Sequence, residues 1–235
     1  MIPLDQSDSL TERVYQAILE EILDGRLIPG EHLVQEELAA HLNVSRQPIQ
    51  QAMTLLKADG LIEKVGRRGM AVTALDVVRM QHHYDLRGLI DGYVARRAAE
   101  RIRSGELDKT EHLRSMDQFF RNWNRRGPKA PFREQVIQDE RFHHAIYEMS
   151  GNTTVVESVR PHWRFLRRAM VEALRQAEPP AEIWDQHAAI AEAILSGEPE
   201  KAEGLAQSHT LEACIRLTAA LSAEGSTHRI RRAVS

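Results

Sequence analysis

Residues 138–152, QDERFHHAIYEMSGN, carry a conflict that few folds can resolve. At about 100° per residue, Val136, Phe142, Ile146, Tyr147 and Met149 share one apolar arc of a helix, and Asp139 and His143 fall in its middle. A carboxylate and an imidazole are therefore aimed into a core. Buried without partners they would be strongly destabilising, so the fold must bring something to them.

Two further stripes show the same pattern. His187 groups with Ile183, Ile190 and Ile194, and His209 with Ala202, Leu205, Ala206 and Ala213. His144, one residue round from His143, points to the polar side and is set aside as a ligand. A lone inward histidine is more often a hydrogen-bonded core residue than a ligand, but four polar groups on three apolar stripes change that balance. Asp139 and His143, one helical turn apart, can chelate one ion, and His187 and His209 can close the site from neighbouring helices. Three imidazoles and a carboxylate are borderline to hard donors that suit a divalent Zn, Ni, Mn or Fe. Such an ion makes an inward Asp139 tolerable and requires neutral histidines.

From Asp76 onward the chain shows helical periods broken by Gly and Pro, with no strand alternation. The pattern predicts helices near 77–103, 107–124, 132–150, 153–176, 180–196 and 199–222. The fold expected is mostly α: a small N-terminal domain over 1–75, an all-helical bundle over 76–225 and a flexible tail over 226–235.

The first domain reads differently. Ser9 and Glu12 have capping-box spacing ahead of Leu10, Val14, Ala17, Ile18 and Ile22, which gives a first helix. After a Gly/Pro turn, QEELAAHLN and SRQPIQQAMTLLKADG predict two helices joined by a tight turn. Ala39 is small where the helices cross, Asn43 tolerates a left-handed turn, and Ile49 is the packing anchor. Ser45 is placed to cap the third helix, and Pro48 fits its first turn. Arg46, Gln47, Gln50 and Gln51 are then the polar groups available to a major groove. LIEKV and MAVTAL, joined by Gly66, Arg67, Arg68 and Gly69, predict a two-stranded basic wing, so the first domain is a winged helix-turn-helix.

Charge distribution agrees with that assignment better than net charge, which is −3. Within 44–72, Arg46, Lys57, Lys64, Arg67 and Arg68 face only Asp59 and Glu63, a local basic face suited to phosphate. No apolar run approaches the roughly 18 residues of a membrane span, and MIPLDQSDSL lacks the blocks of a secretory signal. The single cysteine, Cys214, cannot form an intrachain disulfide, which fits the reducing cytoplasm.

The stretch GRLIPGEHLVQEELAAHLNVSRQPIQQAMTLLKADGLIEKVGRRGMAV resembles the DNA-binding domain of the GntR transcription regulators. Its P-G turn, its L-A-x-x-L-x-V-S-R-x-P core and the R-G of the wing carry the resemblance. Where that family commonly has Arg-Glu this chain has Gln50-Gln51, which exchanges a guanine or phosphate contact for a side chain suited to adenine. DERFHHAIYEMSGN, His187 and His209 resemble the metal-binding FCD domain of the FadR-type members. The resemblance implies metal ligands at Asp139, His143, His187 and His209, an effector-facing Arg87, and Asn152 as a helix cap bordering the cavity. It also implies a homodimer on a pseudo-palindromic operator in double-stranded DNA. The expected function is a repressor controlled by a small carboxylate at the metal. The alternatives are a helical metalloenzyme or a metal-stabilised structural dimer fused to a DNA-binding module. Only Glu140 and His143 have the Glu-x-x-His spacing of a di-iron bundle, which argues against the enzyme.

Overall fold

The structure is a computed structural model that describes residues 9–67, 69–126, 130–174 and 182–233. The chain divides into two compact units, Met1–Leu75 and Asp76–Ser235.

In the first unit, α1 (Leu10–Leu23), α2 (Gln35–Leu42) and α3 (Arg46–Ala58) precede β1 (Ile62–Val65) and β2 (Gly69–Val72). Ser9 caps α1 by accepting from the Glu12 amide. The apolar stripe of α1, with Val14, Ile18 and Ile22, packs with Ile49, Ala52, Met53 and Leu56 of α3 and with Val72 of the wing. The Tyr15 hydroxyl donates to Asp59 at the end of α3, tying these helices at the rim. Asn43 ends α2 in the left-handed conformation at φ 51, as a tight turn between α2 and α3 requires. β1 and β2 pair antiparallel, with Ile62 opposite Val72 and Val65 opposite Gly69.

The GRLIPGEHL segment does more than turn. The Gly30 amide donates to Val72 O at 2.8 Å, Leu33 to Met70 O at 2.8 Å, and Val72 to Glu31 O at 2.9 Å, so residues 30–33 lie along β2. Strand alternation cannot show in so short a contact, and the sequence pattern registers only the turn.

The second unit comprises α4 (Val77–Ser104), α5 (Lys109–Arg126), α6 (Phe132–Met149), α7 (Thr153–Ala173), α8 (Glu182–Leu195) and α9 (Pro199–Ala233). Asp76 caps α4 by accepting from the Arg79 amide, and Gly105 ends it at φ 79. Helix α4 lies antiparallel to α9: Gly88 approaches Thr210, and Gly92 approaches Gln207 so closely that a Cβ there would sit 2.7 Å from Nε2. That approach brings Arg87 and Asp91 on α4 level with His209 and Thr210 on α9. Helix α9 continues to Ala233, past the predicted end near 222, because no proline interrupts the stretch and one glycine, Gly225, is tolerated in a helix. Residues 234–235 of the expected tail lie outside the described residues.

Two glycines give opposite expectations. A Cβ on Gly69 would sit 2.7 Å from the Val65 backbone oxygen, whereas one on Gly204 of α9 would meet nothing within 4 Å. Thermal unfolding should show Gly69→Ala destabilised by about 1–3 kcal/mol. Gly204→Ala should be stabilised by about 0.5–1 kcal/mol.

Candidate functional site

The helical unit brings the four inward polar residues to one point. Asp139 and His143 come from α6, His187 from α8 and His209 from α9, and one ligand atom of each lies within 4.8 Å of the others. His187 Nε2 is 3.2 Å from His209 Nε2 and 3.3 Å from Asp139 Oδ1. Two donors bound to one ion at about 2.1 Å stand roughly 3.0–3.4 Å apart, so these separations are those of a shared ligand set. His143 Nε2 and Asp139 Oδ2 are buried and have no hydrogen-bond partner. An ion would resolve both, so the residues fit a metal. It does not account for His187 Nδ1, which is also buried without a partner.

Surrounding groups fix the histidine rings. His209 Nδ1 is 2.9 Å from the Gln186 carbonyl oxygen, so Nδ1 carries the hydrogen and Nε2 presents its lone pair to the cluster. Gln186 is itself held through its amide, which donates to Glu212 Oε2 at 2.5 Å. His143 Nδ1 faces Asp91 Oδ2 at 3.4 Å, which leaves Nε2 toward the other ligands. His144 stands apart, 4.0 Å from Glu140, and Glu140 lies 4.0 Å from Arg167. Among the described residues, Asp139 is the one carboxylate in the group of converging ligand atoms.

Asp91 and Arg87 form a buried ion pair beside the cluster, with relative exposures of 2% and 4%. Arg87 Nε donates to Asp91 Oδ2 at 3.0 Å, the Tyr147 hydroxyl donates to Oδ1 at 2.6 Å, and the Thr210 hydroxyl donates to Oδ2 at 3.0 Å. Arg87 also stacks over the Trp163 ring at 4.5 Å. Burial works against the charged guanidinium, but Asp91 and its neighbours more than offset this and hold the Arg87 pKa above its ordinary value. Arg87 Nη2 has no hydrogen-bond partner and stands 4.0 Å from Asp139 Oδ2.

Arg87, Asp139 and His209 line a cavity of about 360 Å³. Asn152 does not: it caps α7 by accepting from the Val155 amide, and its side-chain amide approaches the Tyr93 hydroxyl at 3.4 Å. Asp91 was not singled out from the sequence, although its i, i+4 spacing from Arg87 is a readable signal. Arg216, which also lines the cavity, was missed too; it lies seven residues after His209 on the same helix face.

In the first unit, Ser45 occupies the cap position of α3 with extended backbone but makes no side-chain capping bond, contrary to expectation. Ser45, Arg46, Gln47 and Gln50 are exposed around the first turns of α3. Arg46 is 3.1 Å from Glu36 of α2, and Gln51 is engaged by the Thr11 hydroxyl of α1 at 2.6 Å. Arg67 is exposed in the turn before β2, which Gly69 opens; Arg68 lies outside the described residues.

Residues 10–72 match the model for bacterial regulatory proteins of the gntR family, and residues 82–213 match that for the FCD domain. The chain belongs to the GntR family. Among its relatives, a regulator from an unstable DNA locus of Streptomyces ambofaciens is 28% identical, with 87% of this chain and 84% of the relative covered. The transcriptional repressor RspR of Escherichia coli is 22% identical, with 89% of each chain covered. Two solved structures share the fold. McbR/YncC of E. coli has a TM-score of 0.74 at 16% identity, covering 89% of this chain and 97% of its own. A GntR regulator from Rhodococcus sp. RHA1 has a TM-score of 0.69 at 19% identity, covering 88% and 96%. This GntR protein is thus a DNA-binding transcriptional regulator and not an enzyme. Among the described residues, no helix is long and apolar enough to cross a membrane.

The buried titratable groups give this regulator a pH-dependent stability. Burial, reinforced by Arg87, pushes His143 well below its ordinary value; burial and His209 do the same to His187; and burial with Arg87 holds His209 down to about 3. Below about pH 6.5 the unfolded chain takes up protons that the folded chain refuses, so these groups remove stability as pH falls. Asp139, raised by burial to about 6, has the opposite sign, since the folded chain protonates it first on acidification. With three histidines against one carboxylate, the melting temperature in a chelator should fall between pH 6.5 and 4.5. His143→Gln should flatten that slope; a melting temperature that rises on acidification contradicts the assignment.

Proposed function

We propose that the protein is a homodimeric repressor whose operator binding is controlled by a small carboxylate at a divalent metal site. The observation that carries this reading is convergence in one cavity of four metal-ligand atoms and a buried arginine with an unpartnered nitrogen. Asp139, His143, His187 and His209 would hold the ion, with Zn, Ni, Mn and Fe all compatible with the donor set. The ion would supply a Lewis-acidic point for an anionic oxygen. Arg87, fixed through Nε by Asp91 and free at Nη2, would bind the acid's other oxygen.

On the DNA side, Ser45, Arg46, Gln47, Gln50 and Gln51 of the helix-turn-helix and Arg67, Arg68 and Gly69 of the wing are the proposed contacts. The open first turn of α3 suits phosphate, and Gln50 suits an adenine edge. Gln51 must leave Thr11 to take part.

Pairing is supported by exposed apolar side chains, Leu86, Leu89 and Tyr93 on α4 and Leu211 and Ile215 on α9. A two-fold dimer then predicts a pseudo-palindromic operator. The direction of control follows the relative RspR, which is named a repressor. An acid can alter DNA affinity only by favouring one arrangement of the protein, and α4, which carries Arg87 and begins at Val77 just past the unit boundary, is the element proposed to respond.

Elemental analysis should find one metal per chain. His187→Ala and His209→Ala should each lose at least about 100-fold in metal affinity, and Gln186→Ala about 10-fold to 100-fold. Undiminished affinity in both histidine variants refutes the site.

In gel shifts with a half-site series, Arg46→Ala should weaken specific binding by about 1–3 kcal/mol at one base position. A loss uniform across substitutions assigns Arg46 to phosphate instead. Unchanged binding removes it from the interface.

A further inference from the structure

The cavity that holds the candidate metal site is chemically divided. Asp139, His209, Arg87 and Arg216 are its charged or metal-ligating lining residues, and most of the remaining wall is apolar, with Val136, Met170, Leu174, Ile183, Trp184 and Leu217 among its residues. Arg87 and Arg216 share an unusual state: Nη2 of each is buried with no hydrogen-bond partner. Arg216 is otherwise tethered weakly, with Nη1 at 3.5 Å from Glu212. Side chains on a helix lean toward its N-terminus, which sends the Arg216 guanidinium back along α9 toward His209. Arg87 Nη2 stands 4.0 Å from Asp139 Oδ2, and Arg216 lines the same cavity.

We propose that the effector is an amphiphilic monocarboxylate. Its carboxylate is gripped by Arg87 and Arg216 beside the metal ligands, and its hydrocarbon body lies against Met170, Leu174, Trp184 and Leu217. A neutral ligand would offer the two guanidinium nitrogens only an uncharged acceptor, a weaker partner than a carboxylate. A sugar acid would satisfy them but press most of its hydroxyls, stripped of water, against an apolar wall in which Tyr84 and Gln135 are the remaining polar groups among the described lining residues. A dicarboxylate gripped in this way would carry its second charge to the apolar wall, where, among the described lining residues, the remaining polar groups, Tyr84 and Gln135, offer no cation. The cavity, at about 360 Å³, is near the lower end of the 300–1,000 Å³ typical of small-molecule sites.

This inference rests on the carboxylate reading above, and the test separates the two. Metal-loaded full chain is titrated calorimetrically with butyrate, hexanoate, octanoate, gluconate and 1-hexanol. Affinity should rise about fourfold per added methylene until the cavity is full. Gluconate, with the same six-carbon chain, should bind at least about tenfold more weakly than hexanoate, because its five hydroxyls lose more water contacts than Tyr84 and Gln135 can replace. Arg216→Met should weaken hexanoate at least about tenfold while metal affinity, read with a competing chelator, stays near that of the parent. Gluconate binding as tightly as hexanoate overturns the apolar body and leaves the carboxylate reading standing. Hexanol matching hexanoate overturns both. Hexanoate binding unchanged in Arg216→Met overturns the two-arginine grip. The ligand series uses the unmodified chain, so it decides the matter even if that variant fails to fold.

Discussion

One buried carboxylate organises the helical unit. Asp91 on α4 accepts from Arg87 of its own helix, from Tyr147 of α6 and from Thr210 of α9, and it faces the ring of His143. Ionised carboxylates are tolerated inside a protein when positive charge and several donors meet them together, and Asp91 has both. Removing it would strand Arg87 as an unpaired buried cation, which typically costs about 3–5 kcal/mol. The same group therefore holds three helices in register and orients two side chains of the candidate site, His143 and Arg87.

The candidate site depends on that frame because its own members oppose one another. Three neutral imidazoles, a carboxylate driven toward protonation by burial and two incompletely paired arginines would not assemble on their own merits. They are held by helix packing, most visibly where Gly92 lets α4 approach Gln207 of α9. A site maintained against its local preferences is one that ligands can stabilise, and binding to the folded state alone shifts the conformational balance. That is the physical basis for expecting a sensor and not a structural plug.

Much of this was legible in the chain. Asp139, His143, His187 and His209 each showed as a polar residue on an apolar stripe, and all four meet within 4.8 Å. The left-handed Asn43, the buried Ala39 and Ile49, and the wing were equally readable, because local sterics restrict which residues can occupy those positions. Less legible was the tie from Thr11 to Gln51: nothing in either sequence neighbourhood announces a hydrogen bond between α1 and α3. Ser45 showed the reverse case, since it stands in a favourable cap position without forming the cap.

What the sequence determined by itself was direction: helical periodicity states which way each side chain points around its own axis, and turn residues state where each axis must end. That was enough for two units, for a helix-turn-helix with a wing and for four converging polar side chains. What only the tertiary structure decided was the company those side chains keep. Asp91 as the shared partner of three helices, Arg216 beside Arg87 in the cavity, Gln186 setting the His209 ring and residues 30–33 lying along β2 all depend on which helix or strand lies opposite. That choice is made by the packing of whole surfaces, through close approaches such as Gly92 against Gln207, and no local pattern encodes it.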